Sequence, residues 1–485
     1  MDVPTHRTDA PLQVLRRVRD LPGPRGWPII GNLLQVKPAQ VHLDIERWSR
    51  QYGPLFRITL GPQPIIVLTD HEHIAAVLRD RPDGFGRHTH LRKLSLEMGL
   101  TTGLFGSEGD VWRRQRRMVM SGLDPGRVRA YFPQLQRVTL RLRARWQRAA
   151  REGRTLDLQP ELMRYTVDTV AGLTFGADIN TLESDGDVIQ QHLDKIFPAL
   201  YRRVMSPLPT WRWFKRPADR QLERSVAEVN RAIAGFIAQA RERLRNDPTR
   251  RERPPNLLEA MIVAADDGNS GIDDTQVAGN VLTMLLAGED TTANTLAWLL
   301  HLLHRHPEAL AKARDEVRRV GALESGTLED FTPEMLGQLD YLEACIHETM
   351  RLKPVAPFVV VEALREATIA DVRIEPRTLV WCVMRHDSVA AEHFERPTEF
   401  DPQRWLGEGD ASHAKRVSMP FGAGPRTCPG RYLALTEMKM ALAMLLDSFD
   451  IESVEAPGGH DVEAEERMSF TMVPVGLRMR VVERG

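Results

Sequence analysis

The chain has 485 residues, of which 42% are hydrophobic, so it can build a sizeable core and is not globally disordered. Its 65 lysines and arginines nearly balance 66 aspartates and glutamates, which argues against a general nucleic-acid binder. Three scattered cysteines exclude a disulfide framework and a C-x-x-C zinc pair. With no signal peptide and no apolar run of about twenty residues, we expect a cytoplasmic protein without a transmembrane anchor.

The first hundred residues alternate turn signals with short regular elements. A basic extension over 1–20 precedes a proline-rich arm at 21–28, where the prolines forbid a helix. The expected elements are a helix over about 39–52, a β-hairpin from strands 55–60 and 65–68, and a short helix over 71–79. The glycine-dotted residues 84–109 predict a long loop, and loops of that length inside compact domains are usually functional.

The next predicted helix contains the sequence Trp112-Arg-Arg-Gln-Arg116-Arg. Trp112 and Arg116 are four residues apart and therefore share one helical face. The planar guanidinium of Arg116 suits a carboxylate. Arg113, Arg114 and Arg117 point elsewhere on the helix.

Residues 125–266 have a helical pattern throughout, without internal repeats or low-complexity tracts. The stretch 197–216 is interrupted by prolines and is rich in aromatic residues. We assign no chemistry to the many charged residues of this region, which are best explained as solvent-facing.

A long helix is predicted to begin near Thr275, because Asp273 and Asp274 can cap it. Its middle, residues 284–293, places Glu289, Asp290, Thr291 and Thr292 among apolar residues. Buried acids are costly unless they are used or paired, and threonine hydroxyls can compete for helix carbonyls. The cluster indicates either catalysis or an Asp-Thr helix cap.

A further pair of charges lies on the predicted helix around residue 348. Glu348 and Arg351 are three residues apart and therefore adjacent on the helix surface. A proline-rich segment, residues 397–405, follows and carries Arg404.

The segment Phe421-Gly-Ala-Gly424-Pro-Arg426-Thr-Cys428-Pro-Gly430 presents one cysteine from a glycine-rich loop at the start of a helix. Glycine permits positive φ angles and a close approach to a flat group, and Pro429 suits the first helical position. A helix N-terminus favours an ionised thiol, which is the form that binds metal. A dinucleotide-binding loop is the alternative, but it requires a third glycine and an apolar strand upstream.

This segment resembles the haem-binding signature F-x-x-G-x-R-x-C-x-G of the cytochrome P-450 superfamily, the haem-thiolate monooxygenases. The resemblance extends from about Leu21 to the end of the chain. It also covers the W-x-x-x-R, [AG]-G-x-[DE]-T-[TS], E-x-x-R and P-x-x-F-x-P-x-R-[FW] motifs, in the order found in the family. It implies a mainly α fold with small β-sheets, with one haem-thiolate domain over 21–485 after the 1–20 extension.

The resemblance implies haem b (iron protoporphyrin IX) as the cofactor, with Cys428 as the axial iron ligand. Trp112, Arg116 and Arg426 would hold its propionates, and Ala287 would lie over it. Phe421, Gly424 and Gly430 complete the cofactor-binding loop. One departure stands at Glu362, where many members of the family carry a propionate-binding arginine.

The resemblance also implies the chemistry. A local opening of the long helix would make room for dioxygen, Thr291 would supply a hydrogen bond to it, and Asp290 would relay protons from solvent. The implied reaction inserts one oxygen atom into an apolar small molecule, such as a fatty acid, terpenoid or steroid. Electrons would come from a separate ferredoxin or flavodoxin with its reductase. The resemblance implies that this acidic partner docks on the helix of Arg113, Arg114 and Arg117, and a merely solvated face is the alternative. A peroxide-driven haem-thiolate enzyme and a non-catalytic haem gas sensor remain as alternatives.

Other implied roles are structural or concern the substrate. Glu348, Arg351 and Arg404 would form a buried charge network that fixes the segment leading to Cys428. The candidate substrate contacts are Leu104, Phe105, Met284, Phe358, Val359 and Phe470. Ordinary core packing remains an alternative for Phe105, as it does for Phe470. We expect a soluble, monomeric, bacterial member of the family.

Overall fold

The computed structural model describes residues 15–61, 63–184, 189–268, 270–322, 331–459 and 462–484. The first fourteen residues of the predicted extension and Pro62 of the predicted hairpin turn lie outside the described residues. No helix in the described ranges is both long and apolar enough to cross a bilayer.

Helices dominate the fold. Within the described ranges they are α1 (Val41–Tyr52), α2 (His71–Arg79), α3 (Thr89–Glu97), α4 (Gly109–Gly122), α5 (Pro125–Arg151), α6 (Leu158–Phe175), α7 (Ile189–Leu193), α8 (Ile196–Val204), α9 (Pro217–Asn246), α10 (Thr249–Glu252), α11 (Leu257–Asp266), α12 (Asp274–Arg305), α13 (Pro307–Ala322), α14 (Pro333–Gly337), α15 (Asp340–Leu352), α16 (Arg385–Ser388), α17 (Glu408–Val417) and α18 (Arg431–Ser448).

The strands form small sheets at the edges of the helical body. They are β1 (Arg16–Arg17), β2 (Leu55–Leu60), β3 (Gln63–Leu68), β4 (Phe85–Arg87), β5 (Leu156–Asp157), β6 (Phe358–Ala363), β7 (Ala367–Ile369), β8 (Val372–Ile374), β9 (Leu379–Val383), β10 (Phe449–Glu455), β11 (Glu466–Met468), β12 (Met472–Pro474) and β13 (Arg478–Glu483). The largest sheet has the order β2-β3-β9-β6-β4, and β11 and β12 form a separate antiparallel hairpin.

Helix α12 crosses the centre of the molecule and is buried along most of its length. Its N-terminus is capped by Asp273, whose carboxylate accepts a 2.8 Å hydrogen bond from the amide of Gln276. Helix α6 packs closely against it at Gly288, where a methyl group would clash with Val170. The central helix is therefore held at a fixed distance from its neighbour.

The structure confirms the mainly helical fold with small sheets, and β2, β3 and α2 match the predicted hairpin and helix. The prediction of an unbroken loop over 84–109 is wrong, because β4 and α3 lie within it. Strand β4 exists by pairing with β6, in the register Gly86↔Glu362, and a partner so distant in sequence leaves no local signal. Helix α18 begins at Arg431, so Pro429 precedes the N-cap residue instead of occupying the first helical position.

Candidate active site

The loop before α18 holds Cys428 through its backbone. The amide of Cys428 donates a 2.9 Å hydrogen bond to the carbonyl oxygen of Phe421, which closes the loop. Gly422 and Gly424 adopt φ angles of 73° and 70°, which L-residues rarely adopt. Gly424 also packs against the end of α2, whereas nothing lies within 4 Å of the position that a methyl group would take at Gly422. The loop is thus anchored on one side and open on the other.

Cys428 is exposed, unlike Cys345 and Cys382, which are buried. Desolvation nevertheless raises the pKa of the Cys428 thiol, and it outweighs a hydrogen bond from the Gly430 amide and the charge of Arg116, which lower the pKa. Both observations fit a sulfur atom at the bottom of a concave surface. The Gly430 amide at the start of α18 therefore favours the ionised thiol, but burial has the larger effect on the pKa.

Four arginines lie at or near Arg426 and Thr427 of this loop. Arg116 of α4 donates a 2.6 Å hydrogen bond to the carbonyl oxygen of Thr427, and Arg426 donates to Ser107 and to the Glu108 carboxylate at 2.7 and 2.5 Å. Arg81 and Arg87 are close enough to Arg426 or to each other for their charges to interact. Glu108 is the carboxylate that raises the pKa of Arg81, Arg87 and Arg426 in this group.

The charges of this cluster are not balanced within the described residues. Burial lowers the pKa of Arg81, Arg87 and Arg116, and it lowers the pKa of Arg426 to about 10. Buried nitrogen atoms of Arg81 (Nε and Nη2) and Arg426 (Nε) have no hydrogen-bond partner. Unpaired buried donors are costly, so the cluster has the donor set for an anionic group with several acceptor oxygens.

Trp112 is buried in the first turn of α4, and its ring lies against Arg426 of the arginine cluster. The guanidinium carbon of Arg426 lies 4.7 Å from the centroid of the Trp112 ring. In the cysteine loop, the guanidinium carbon of Arg431 lies 5.8 Å from the centroid of the partly buried Phe421 ring. Trp112 and Phe421 therefore each lie against an arginine.

The middle of α12 presents Ala287 and Thr291 on one face. Ala287 is exposed and Thr291 is partly buried, although most residues around them are buried. The hydroxyl of Thr291 donates a 2.7 Å hydrogen bond to the carbonyl oxygen of Ala287. The helix runs unbroken from Asp274 to Arg305, so the expected local opening is not present as a break in the helix.

Three acids near this face have raised pKa values. Burial raises the pKa of Asp290 to about 6, and it raises the pKa of Glu289 well above its usual range. Glu437 of α18 has its pKa raised to about 8 by burial, opposed by a hydrogen bond with Thr292. Acids that titrate near neutral pH are suited to proton transfer.

An aromatic cluster lies beside the site. The ring of Phe470, in the turn between β11 and β12, stacks on Phe197 of α8 with centroids 4.5 Å apart, and it lies 6.2 Å from the ring of Phe105. Phe105 is 40% exposed and lies under the guanidinium group of Arg87. The alternative of ordinary core packing is therefore wrong for Phe105, whereas Leu104 is buried.

The loop that carries Leu104 and Phe105 crosses α12 at a pair of glycines. A methyl group at Gly103 would clash with the carbonyl oxygen of Gly279, and one at Gly279 would clash with the backbone of Thr102. The amide of Leu104 donates a 2.7 Å hydrogen bond to the side chain of Asn280. This close crossing fixes the backbone positions of Leu104 and Phe105 relative to α12.

The remaining predicted substrate contacts lie on α12 and β6. Met284 is buried on α12. Phe358 and Val359 are partly buried, and Phe358 stacks on Trp381 with centroids 5.3 Å apart. Glu362, where the sequence departs from the family pattern, accepts a 2.9 Å hydrogen bond from the amide of Thr89. Glu362 therefore fixes the start of α3.

Glu348, Arg351 and Arg404 come together as one network. Two parallel 2.7 Å hydrogen bonds join Arg351 to Glu348, and neither side chain is exposed. Arg404 donates to the same carboxylate at 3.3 Å, and the indole of Trp405 donates at 2.9 Å. Arg351 also donates to three backbone carbonyl oxygens, which tie residues 388–399 to α15.

Sequence reasoning missed several residues of the site: Arg81, Arg87, Glu108 and Phe197. Arg81 and Arg87 lie in or next to the region predicted as a loop, and nothing in their local sequence indicates that they approach Arg426. The position of Glu108 just before the Trp112 helix could have marked it as a partner for a nearby arginine.

Comparisons with known proteins concern the chain as a whole. The family model described as "Cytochrome P450" matches residues 21–481. The 3,9-dihydroxypterocarpan 6A-monooxygenase of Glycine max is 27% identical over 93% of this chain and 90% of that protein. Cytochrome P450 3A6 of Oryctolagus cuniculus is 25% identical over 89% of this chain and 86% of that protein.

Two further comparisons concern chain length and fold. The self-sufficient cytochrome P450 monooxygenase CYP505E5 of Aspergillus niger is 27% identical over 96% of this chain but 43% of that protein. The crystal structure of the cytochrome P450DA heme domain superimposes with a TM-score of 0.82 and 26% identity, over 97% of this chain and 99% of that one.

Proposed function

Because the chain belongs to the cytochrome P450 family and is a monooxygenase with a haem-iron cofactor, we propose that it hydroxylates an apolar organic substrate of the fatty-acid, terpenoid or steroid kind. One atom of dioxygen enters a C–H bond of the substrate and the other leaves as water. Two electrons and two protons balance the reaction. The exposed thiol of Cys428 in its glycine-lined loop is the observation that carries this proposal.

The residues around Cys428 fit haem b. Its two carboxylates would satisfy the unpaired nitrogen atoms of Arg81 and Arg426, together with Arg116 and Arg87. Trp112 would keep Arg426 in place. The open space beside Gly422 leaves room for a flat ring near the sulfur of Cys428.

Bound haem supplies the oxygen-activating chemistry, and the electron push of a cysteine ligand favours O–O cleavage. The protein supplies hydrogen bonds and protons. Thr291 offers a hydroxyl at the exposed face of α12, and Asp290, with a pKa of about 6, can pick up a proton from solvent and release it near neutral pH. Both roles are proposals: the position of its hydroxyl supports that of Thr291, and the raised pKa supports that of Asp290.

The substrate class is supported by the lining of the site. Phe105, Phe197 and Phe470 form an aromatic wall beside α12, and Met284 and Phe358 add apolar surface. Such a wall favours apolar ligands because burying their surface is favourable. Binding of dodecanoic acid, limonene and progesterone, followed as shifts of the haem absorption band, would compare the three classes.

The electron donor is proposed to be a separate ferredoxin or flavodoxin. Arg117 of α4 and Arg431 of α18 are exposed, and neither forms an ion pair within the described residues. An acidic protein could dock on these charges, close to the cysteine loop. Arg113 contributes less because it already pairs with Asp83 and Asp110.

We further propose a cytoplasmic, bacterial monomer, in which residues 21–485 form one haem-binding domain. The scarcity of cysteine supports a reducing compartment, and the range of the family match supports the domain boundary. The relatives named above come from plants, animals and fungi. Gel filtration of the purified protein would test the monomer.

The test of the function begins with the iron ligand. The reduced protein treated with carbon monoxide should show the band of thiolate-ligated haem, and Cys428→Ser should lose it while Cys382→Ser keeps it. The spectrum of an imidazole-ligated or haem-free chain in the wild type would refute the assignment.

Turnover with NADPH and a surrogate ferredoxin and reductase then separates the three functions. Product formed with electrons supports the monooxygenase, product formed only with peroxide supports the peroxide-driven enzyme, and haem without product supports a sensor. In the first case Thr291→Ala should divert electrons to hydrogen peroxide. Unchanged coupling in that variant would argue against the hydroxyl relay.

A further inference from the structure

The carboxyl group of Asp290 is held by a residue far from it in the sequence. Its Oδ2 atom accepts a 2.5 Å hydrogen bond from the hydroxyl of Thr471, and its Oδ1 atom accepts one of 3.1 Å from the amide of Asn294. Asn294 is in turn fixed by Gln159 of α6 at 2.7 Å. Both carboxyl oxygens therefore have a defined donor, one from α12 itself and one from the β11–β12 turn.

The turn that carries Thr471 is rigidly located. Met468 pairs with Met472 across the hairpin, and the amide of Met472 donates a 2.8 Å hydrogen bond to the carbonyl oxygen of Val355. Phe470, just before Thr471, has a φ of 94°, which is uncommon for a residue with a side chain. Such backbone persists only where the surroundings impose it, and the stack on Phe197 is part of those surroundings.

Asp290 also lines a cavity. This cavity, of about 830 Å³, is open to solvent and is lined by Asp290, Asp194, Tyr201, Arg202, Arg467 and Ser469, among others. Asp290 directly precedes Thr291, whose own face carries the exposed Ala287. The acid thus lies between solvent on one side and the face of α12 that carries the hydroxyl on the other.

We propose that Thr471 is a positioning residue for Asp290: it holds the carboxyl at the wall of the solvent cavity, in the orientation from which a proton passes to the Thr291 side of α12. The inference rests on the proposed monooxygenase function. A hydroxyl group suits this task because it fixes the direction of the carboxyl without adding a charge beside it.

The titration of Asp290 makes the contact measurable. Burial raises the pKa of Asp290 to about 6, and the hydrogen bond from Thr471 is the largest influence that lowers it, followed by Asn294. Among the facing groups, Asp194 raises the pKa of Asp290, Glu289 neighbours it on α12, and Lys195, Arg202 and Arg467 line the same cavity. Loss of the hydroxyl should therefore raise the pKa of Asp290 further.

Infrared difference titration of the holoenzyme can follow this carboxyl group directly. The signal of Asp290 is assigned by its disappearance in Asp290→Asn. We expect Thr471→Val to raise the pKa by about one pH unit, the effect of losing a hydrogen bond to a charged group. Thr471→Ser should leave it within a few tenths of a unit, since the hydroxyl is kept.

The matched control is Ser469→Ala at the same turn. Its hydroxyl makes no hydrogen bond among the described residues, so the titration of Asp290 should not move. A merely structural role for Thr471 would lower the melting temperature without moving the pKa. If the valine variant does not fold, Thr471→Ala serves in its place.

The inference is overturned if a folded, haem-loaded valine or alanine variant titrates like the wild type. It is also overturned if Ser469→Ala shifts the pKa as much as Thr471→Val does. The yield of hydrogen peroxide tests the proposed relay separately from the role of Thr471. If Asp290→Asn leaves the coupling of electrons to product unchanged, the relay through Asp290 is wrong, whatever the infrared titration shows for Thr471.

Discussion

The guanidinium group of Arg426 lies over the indole ring of Trp112, with 4.7 Å between the guanidinium carbon and the ring centroid. One residue belongs to the cysteine loop and the other to α4, so the pair joins two motifs that are far apart in sequence. Trp112 is 5% exposed, and the contact is therefore desolvated. A desolvated cation–π contact is stronger than an exposed one.

Replacement of Trp112 should weaken haem binding. We expect Trp112→Ala to accelerate haem loss roughly 10-fold, because a desolvated cation–π contact contributes up to about 2 kcal/mol. Trp112→Phe should have a smaller effect, since it keeps an aromatic face. Transfer of haem to apomyoglobin measures the rate. Trp213→Ala, on an exposed tryptophan, is the control, and equal rates in all variants would contradict the role of the pair.

Removal of the Glu348 carboxylate should leave little haem-loaded protein. Glu348→Ala leaves Arg351 buried without its partner, which costs roughly 3–5 kcal/mol. Haem content per protein and the urea midpoint measure the loss. The exposed residue Glu395 provides a control, because Glu395→Ala should behave like the wild type. Normal haem loading in Glu348→Ala would show that the network does not fix the cysteine loop.

Two glycines of the cysteine loop should respond differently to alanine. Both substitutions strain a positive φ angle, at a cost of roughly 1–3 kcal/mol. Gly424→Ala adds a clash, because its methyl group would lie 2.5 Å from the carbonyl oxygen of Leu78. We therefore expect lower thermal stability for Gly424→Ala than for Gly422→Ala. The reverse order in thermal unfolding would mean that the contact with α2 does not support the loop.

Glu437 should make stability depend on pH. Its folded pKa of about 8 lies above the ordinary value of 4.5, so the folded state holds a proton that the unfolded state releases. Stability should be fully present below about pH 4.5 and decrease as the pH rises toward 8. Glu437→Gln removes this penalty and should gain about 3 kcal/mol at pH 7 relative to wild type.

Urea unfolding of the wild type and of Glu437→Gln at pH 5 and pH 8 checks this expectation. The stability difference between the two proteins should grow with pH. The control is Glu395→Gln, at an exposed position where no comparable change is expected. A difference that is independent of pH would show that the Glu437 carboxyl is not held protonated.

The proposed docking surface at Arg117 and Arg431 predicts a salt-dependent interaction with the electron donor. Arg117→Glu should raise the KM for an acidic ferredoxin several-fold at low ionic strength, and the effect should shrink as salt screens the charges. Reduction of the enzyme by ferredoxin in a stopped-flow instrument measures it. Arg245→Glu, at an exposed position on α9, is the matched control. Equal effects of both variants would place the docking surface elsewhere.

Local sequence patterns predicted the elements that depend on local interactions. The β2–β3 hairpin has the sequence Gly-Pro between two β-rich runs, and α2 has Asp70 as a capping residue whose carboxylate accepts from the amide of His73. The positions of Cys428, the proposed iron ligand, and of the Glu348 network followed from short motifs that resemble those of the family. In each case the information lies within a few neighbouring residues.

Long-range pairing explains what could not be predicted. Strand β4 forms against β6, and Arg81 and Arg87 lie near Arg426 where the end of α2 packs on Gly424. The bond between Thr471 and Asp290 likewise joins a hairpin turn to a distant helix. Neither the charge nor the periodicity of a segment indicates which distant partner it will contact.

The crossing of Gly103 and Gly279 has a practical consequence for protein engineering. Since neither position tolerates a methyl group, the backbone of the loop is pinned to α12, and changes at Leu104 and Phe105 alter side chains on a fixed support. Saturation libraries at these two positions should therefore yield many folded variants with altered selectivity, whereas libraries that include either glycine should be depleted of folded proteins.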